Sequence, residues 1–226
     1  MNVSVVIPVR DGRRYLPEAI ASIRAQTLAP LEIVVVDDGS ADDSGDLAAA
    51  AGATVIRRAA EGPAAARNAG AAAARGEALA FLDADDLAAP DRLALQVRAL
   101  TADPRALAVA GRMVQFLSPD RVDELRGRFA CPEEPAHSFT IGTLLIRREA
   151  FLASGGLDAS LSGGEVIEWL QRARDAGARV ALIDAVVLRR RIHGENLSLQ
   201  REALHAGYLA TARAAIARRR AEGARG

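Results

Sequence analysis

The chain has no lysine. All 29 basic residues among its 226 are arginine, which excludes the phosphate-cradling Gly-x-x-x-x-Gly-Lys-Ser/Thr loop. Cysteine is nearly absent too: Cys131 stands alone, which rules out an internal disulfide framework and fits a reducing compartment. No window approaches the roughly 18 consecutive apolar residues of a membrane span. The N-terminal MNVSVVIPVRDG carries an apolar stretch too short for a secretory leader, so a cytoplasmic protein is expected. An excess of either charge is also missing. The 29 basic residues balance 29 acidic ones, so no global field draws the chain to nucleic acid or to an anionic membrane. Partners have to be sought in local sites.

Half of the residues are hydrophobic, enough for one substantial core, and their pattern alternates. Val3 to Ile7 is a β-branched run ended by Pro8, and Tyr15 to Gln26 spaces Leu16, Ala19, Ile20 and Ile23 at helical intervals. Leu31 to Val36 reads as a second strand, Ser40 as the cap of a helix over Ala41 to Ala51, and Ala53 to Ile56 as a third strand. Pro63 suits the first turn of an alanine-rich helix that Gly76 ends. Ala78 to Leu82 is a fourth strand, and Pro90 with Asp91 opens a helix through Leu100. Strands alternating with helices of about ten residues predict right-handed crossovers, an α/β fold with a mostly parallel sheet, and ligands beyond the carboxyl ends of the strands. Past residue 110 the pattern loosens: a long loop over 117 to 138, a strand Ile141 to Ile146, a helix Gly163 to Ala176, strands Ala178 to Ile183 and Val186 to Arg190, and an alanine-arginine helix Leu204 to Gly226.

Two acidic segments, DDGS and FLDADD, fall at predicted strand ends. Carboxylates suit hard divalent ions, and magnesium is commonly held by one or two of them together with substrate phosphates. On a chain leaving a strand, Asp83 and Asp85 point to the same side, whereas Asp86 suits the cap of the next helix. An Asp-x-Asp strand end also occurs in dehalogenase-type phosphatases, and VVVDDGS is like a receiver's acidic pocket, but both use a lysine that this chain lacks. A calcium loop needs further oxygen ligands, and Leu87, Ala88 and Ala89 follow instead. By residue type alone, Asp37 and Asp38 are also good turn chemistry, and Arg67 suits the surface of an alanine helix.

The ordered set SVVIPVRDG, a helix ending in Gln26-Thr27, EIVVVDDGSADDS, GPAAARNAG and GEALAFLDADDLAAPDRL resembles family 2 glycosyltransferases of the GT-A fold. The resemblance implies a glycosyltransferase domain over residues 1–193, with a nucleotide-sugar half at 1–110, an acceptor half at 111–193 and a helical extension at 194–226. It implies that Pro8, Val9 and Arg10 lie against the nucleotide base, that Asp38 hydrogen-bonds it and that Asp37 supports that loop. Arg67 and Asn68 would line the nucleotide. Asp83, with Ala84 beside it, would meet the ribose, and Asp85 would hold Mg²⁺ or Mn²⁺ on the donor diphosphate. His193 would join the metal, with Arg190 or Arg191 closing over the pyrophosphate. The first motif departs from the family's usual Tyr-Asn by having Arg10 and Asp11.

Family members usually carry Gly-Glu-Asp at the start of the late helix, the second acid taking the acceptor proton. Here the segment is SGGEVIEWLQRAR, with Val166 in that place. Glu165 is the expected base and Glu168 its rival; the competing reading has both acids capping the helix and pairing with Arg172. Trp169 is expected in the core, although it could stack on an acceptor sugar, and His137 and His205 are expected to have no ligand role. The implied function is metal-dependent, inverting transfer from a nucleotide-diphosphate sugar to a hydroxyl of a glycan, lipid-linked sugar, small molecule or peptide. Its alternatives are a catalytically degenerate nucleotide-sugar-binding module and, behind it, a phosphatase or receiver. No nucleic-acid partner is expected. The C-terminal arginines are expected on a solvated helix, with peripheral membrane contact as the lesser option.

Overall fold

The structure, a computed structural model, describes residues 1–196 other than 130, 133 and 162. The helix expected over Leu204 to Gly226, with His205, lies outside the described residues. Val3–Val9 (β1), Leu16–Arg24 (α1), Glu32–Asp37 (β2), Ser44–Ala50 (α2), Thr54–Arg57 (β3), Pro63–Ala73 (α3) and Ala78–Phe81 (β4) follow the expected alternation. They assemble a parallel sheet in the order β3-β2-β1-β4. β1 reads as a near-continuous apolar run because both of its faces are buried. Ser4, its one hydroxyl, is also buried; it donates to Glu32 at 2.7 Å and accepts from the Gly76 N–H at 2.8 Å.

The second half departs further from expectation. Leu87–Ala88 (β5) and Arg92–Ala102 (α4) lead into Ala106–Leu117 (β6), a 12-residue strand where none was expected. The expected loop over 117 to 138 holds a 3₁₀ turn Pro119–Arg121, the short helix Val122–Leu125 (α5) and Ala136–His137 (β7), so His137 is a strand residue. The strand expected from Ile141 starts at Leu144, giving Leu144–Arg147 (β8) behind a 3₁₀ turn. After Arg148–Ala153 (α6) and Glu165–Asp175 (α7), the two expected final strands are one, Arg179–Ile192 (β9), whose pairing with β6 shifts register between Ala110 and Arg112. β8 runs antiparallel to β4 and β6, and β6 runs parallel to β9. The sheet is therefore parallel in its first four strands and mixed beyond them.

Apolar clusters fill both faces of the sheet. One gathers Leu16, Ile20, Ile23, Leu93 and Leu100 over β1 and β2; the other gathers Val6, Val36, Phe81, Phe151 and Trp169. Trp169 is fully buried, tilted against Phe151 at 5.5 Å, and donates to Ser154 at 2.8 Å, which places it in the core and not at an acceptor sugar. α3 approaches β1 and β2 closely only because residue 70 is glycine: a Cβ there would stand 2.3 Å from Val6 Cγ1 and 3.0 Å from Val36 Cγ2. That seat determines where Arg67, one turn earlier, can reach.

Candidate active site

The loops after β1 and β2 are sewn together. Asp11, at φ 51°, accepts from the Ala41 N–H at 2.7 Å while its own N–H donates to Ser40 at 3.0 Å, and Gly12 N–H donates to Ser44 at 2.9 Å. Ser40 therefore staples two loops and caps no helix; α2 begins only at Ser44. Asp37 accepts from the Ser40 N–H at 2.9 Å, a loop-supporting contact. Asp38 is buried, and its two oxygens accept the N–H groups of Glu61 and Gly62 at 2.9 and 2.8 Å, which fixes the entry to α3. Pro8 and Val9 are buried in β1, whereas Arg10 beside them is exposed at the carboxyl end of the sheet.

The three carboxylates after β4 have separate partners. Asp83 accepts from Arg67 at 2.7 Å, and the same guanidinium donates to Glu165 at 3.1 Å, so Arg67 joins the strand end to the first residue of α7. Burial alone would lower the Arg67 pKa, but the charges of Asp83 and Glu165 outweigh it, raise it, and keep the group cationic. Asp85 Oδ2 stands 3.0 Å from His193 Nε2 and accepts from Asn196 Nδ2 at 3.0 Å. Asp86 is buried and accepts from the backbone N–H of Arg191 at 2.9 Å, so it ties the acidic loop to β9 and caps nothing. Burial first, then the charges of Asp85 and Asp83, push its pKa well above the ordinary value of 3.8. Beneath the loop lies Arg92, wholly buried, donating to the carbonyls of Phe81 and Leu144. Burial lowers its pKa to about 10, held up in part by the charges of Asp86 and Asp83.

Several expected roles change on contact with this geometry. Asn68 donates to the Leu157 carbonyl at 2.7 Å and accepts from the Leu157 N–H at 2.9 Å, so its amide holds a backbone turn and is not free to line a nucleotide. Arg191 is buried, donates to Glu18, the Asp85 carbonyl and Ser118, and stacks on Tyr15 and Phe116. It is a strap between elements, only 2% exposed, and so is not presented to a pyrophosphate. Glu168 is buried and pairs with Arg172 at 3.0 Å, while Arg172 also donates to the carbonyls of Ser154 and Gly156. Glu168 thus anchors α7. Ala84 packs beside the position a Cβ on Gly12 would take, at 3.6 Å, which brings the acidic loop against the first loop. Arg92, Asn196 and Tyr15, whose ring lies 5.0 Å from that of His193, were not singled out from the sequence.

No group of three or more His, Cys, Asp or Glu side chains able to hold an ion exists among the described residues. The pair that is present nevertheless fits a hard divalent cation. Adjacent ligands of an octahedral ion bound at about 2.1 Å lie about 3 Å apart, and Asp85 Oδ2 and His193 Nε2 are 3.0 Å apart. Asp85 retains access to solvent, with 29% of its side chain exposed, and the His193 side chain is 11% exposed. Two protein ligands leave room for phosphate oxygens and water, as magnesium and manganese sites commonly do.

A parallel half-sheet with acids, an arginine and an imidazole converging beyond its carboxyl ends, closed by a mixed half-sheet, has the layout of the GT-A glycosyltransferases. The chain belongs to glycosyl transferase family 2, whose family model matches residues 4–157. A pre-mycofactocin glycosyltransferase of Mycobacterium tuberculosis is 31% identical over 196 residues, 79% of this chain and 40% of that protein. An uncharacterised glycosyltransferase of Nostoc sp. is 46% identical over 99 residues, 41% of this chain and 31% of that protein. The chain thus spans well under half of these relatives' lengths. Among solved structures, S. aureus TarS 1-349 in complex with UDP-GlcNAc superposes at a TM-score of 0.71 with 20% identity, covering 88% of this chain and 61% of that one. The mannosyltransferase PcManGT from Pyrobaculum calidifontis, in complex with GDP-Man and Mn²⁺, superposes at 0.68 with 22% identity, covering 89% of this chain and 60% of that one. These likenesses establish the fold and leave the phosphatase and receiver readings without support. No helix among the described residues is long and apolar enough to cross a membrane.

Proposed function

We propose that the chain binds a nucleotide-diphosphate sugar with a divalent ion and transfers the sugar, with inversion, to an acceptor hydroxyl. The donor half is residues 1–110 and the acceptor half residues 111–193. The observation that carries this reading is the Asp85–His193 pair, at the edge distance of an octahedral ion, with Asp85 two residues beyond the Asp83 that accepts from Arg67 of α3 at the carboxyl end of β4. Solved structures of the same fold, one in complex with UDP-GlcNAc and one with GDP-Man and Mn²⁺, support it.

Asp83 retains an exposed edge to accept from the ribose, and Asp38 and Arg10 stand on the side where the base would lie. Asp85 and His193 would hold Mg²⁺ or Mn²⁺. When bound, the ion supplies Lewis-acid stabilisation of the diphosphate leaving group. Glu165 accepts the hydroxyl proton of the acceptor as the anomeric carbon is attacked. Arg67 orients that carboxylate and couples it to the residue that meets the donor. Glu168, closed off by Arg172, does not act as the base.

Val166 in place of the usual second acid favours one other reading, a nucleotide-sugar-binding module without transfer; its side chain packs against the core. Calorimetry of UDP and GDP with and without Mn²⁺ is the primary test. Binding is expected to tighten by at least about tenfold with Mn²⁺, and Asp85→Ala is expected to abolish that gain. An affinity indifferent to both would end the metal reading. Donor turnover by the native protein separates the enzyme from the module.

A further inference from the structure

We propose that Asn196 is the positioning residue of the metal site, holding Asp85 Oδ2 so that one of its lone pairs remains aimed at the cation. This rests on the reading of Asp85 as a metal ligand. Asn196 is 6% exposed, and every polar atom of its side chain is engaged. Oδ1 accepts from the His193 N–H at 2.9 Å; Nδ2 donates to the Arg191 carbonyl at 2.9 Å and to Asp85 Oδ2 at 3.0 Å. Two of these neighbours need a donor and one needs an acceptor, so only one orientation of the amide satisfies all three, and only an amide can do so. The Asn196 side chain is thereby bonded at once to the strand end before the imidazole, to the imidazole-bearing residue and to the carboxylate 111 residues away.

The chemistry of the pair gives this contact its role. A neutral imidazole that binds an ion through Nε2 turns its lone pair to the metal and gives up its bond with Asp85. Asn196 then remains as the partner of Asp85 Oδ2, occupying one lone pair and leaving the other for the ion. Hydrogen-bond partners of metal ligands typically contribute about 10–100-fold in metal affinity.

The turn carrying Asn196 has anchors of its own. Gly194 adopts φ +88°, packed so that a Cβ would meet Leu125 at 3.1 Å, and Glu195 pairs with Arg121 at 2.6 Å. Glu195→Gln loosens the same turn without touching Asp85, which makes it the control for a merely structural effect.

The experiment is titration of MnCl₂ with UDP or GDP into the native protein, Asn196→Ala and Glu195→Gln, followed by calorimetry and by water-proton relaxation of the bound Mn²⁺. The Mn²⁺-dependent gain in nucleotide affinity is expected to fall by about tenfold or more in Asn196→Ala. Metal-free affinity should stay within about twofold of native, and Glu195→Gln should keep the full gain. Asn196→Ser, whose hydroxyl is too short to reach Asp85, is expected to show the same loss and serves if the alanine variant does not fold. An undiminished gain in the Asn196 variants, or an equal loss in Glu195→Gln, overturns the inference while leaving the metal reading intact. A native protein without any gain overturns both.

Discussion

At the residue scale, the acidic cluster after β4 is tolerable because its three charges are partitioned. Asp83 is neutralised by Arg67, Asp85 meets His193 and Asn196, and Asp86 is sequestered against β9 above the buried Arg92. The same logic distinguishes the two glutamates of α7. Glu165 faces Arg67 across the site, whereas Glu168 is shut in by Arg172, whose own side chain is 30% exposed. Glu165→Gln keeps the size of the side chain but removes the proton acceptor. Transfer, assayed as nucleotide release from a donor sugar to acceptor or water, is expected to fall at least about 10²-fold, with nucleotide affinity little changed. Glu168→Gln should leave turnover within a few-fold of native. It should cost about 1–2 kcal/mol of stability, less than a fully buried pair would, because solvent reaches Arg172. A Glu168→Gln variant that folds well and yet loses turnover would exchange the two assignments.

At the element scale, β1 and β2 were legible because parallel strands buried on both faces are written as β-branched apolar runs, and β3 and β4 because short apolar segments alternate with helical patterns. β6 was not. Its sequence ALAVAGRMVQFL is interrupted by Gly111 and by the polar Arg112 and Gln115, which read as a break. The structure gives a reason for that glycine: a Cβ at 111 would stand 2.4 Å from Val187 of β9, next to the register shift between the two strands. β9 was split in two at Asp184, a polar residue that pairs with Arg112 across the same irregularity. The acidic cluster could be singled out because Asp83, Asp85 and Asp86 are near-consecutive; the partners that divide their roles, Arg67, His193 and the Arg191 N–H, depend on distant pairing. Asn196, Arg191 and Arg92 acquire their roles from partners that a linear reading cannot supply; the Asn196–Asp85 contact spans 111 positions. Packing at this scale is testable at Gly70. Gly70→Ala forces Val6 and Val36 apart from α3 and is expected to cost about 1–3 kcal/mol in urea unfolding. Nucleotide affinity should weaken with it, since Arg67 shares that face of the helix. An unchanged midpoint would mean that α3 is not seated on β1 as described.

At the scale of the whole molecule, the formal net charge is zero at pH 7, so pH acts on stability through particular buried groups and not through general self-repulsion. Two groups pull in opposite directions from opposite ends of the sheet. Glu32, at the start of β2, would be raised by burial. The Ser4 hydroxyl and the backbone and guanidinium N–H groups of Arg75 prevail and hold its pKa below the ordinary 4.5. The folded state therefore gives up that proton more readily than the unfolded chain does, and the stabilisation is present above 4.5 and lost as pH falls through the lowered value. Asp86, at the acidic loop, is raised well above 3.8 by burial and by Asp85 and Asp83, so the folded state holds its proton longer. Its contribution is fully present below 3.8 and is lost as pH rises through the elevated value. Without added metal, the urea midpoint is expected to pass through a maximum at mildly acidic pH, between those two losses. Glu32→Gln should flatten the acid limb alone. Asp86→Asn, whose carbonyl oxygen still accepts from the Arg191 N–H, should flatten the limb toward neutral pH. Midpoints that follow the native curve in both variants would show that other carboxylates govern the profile.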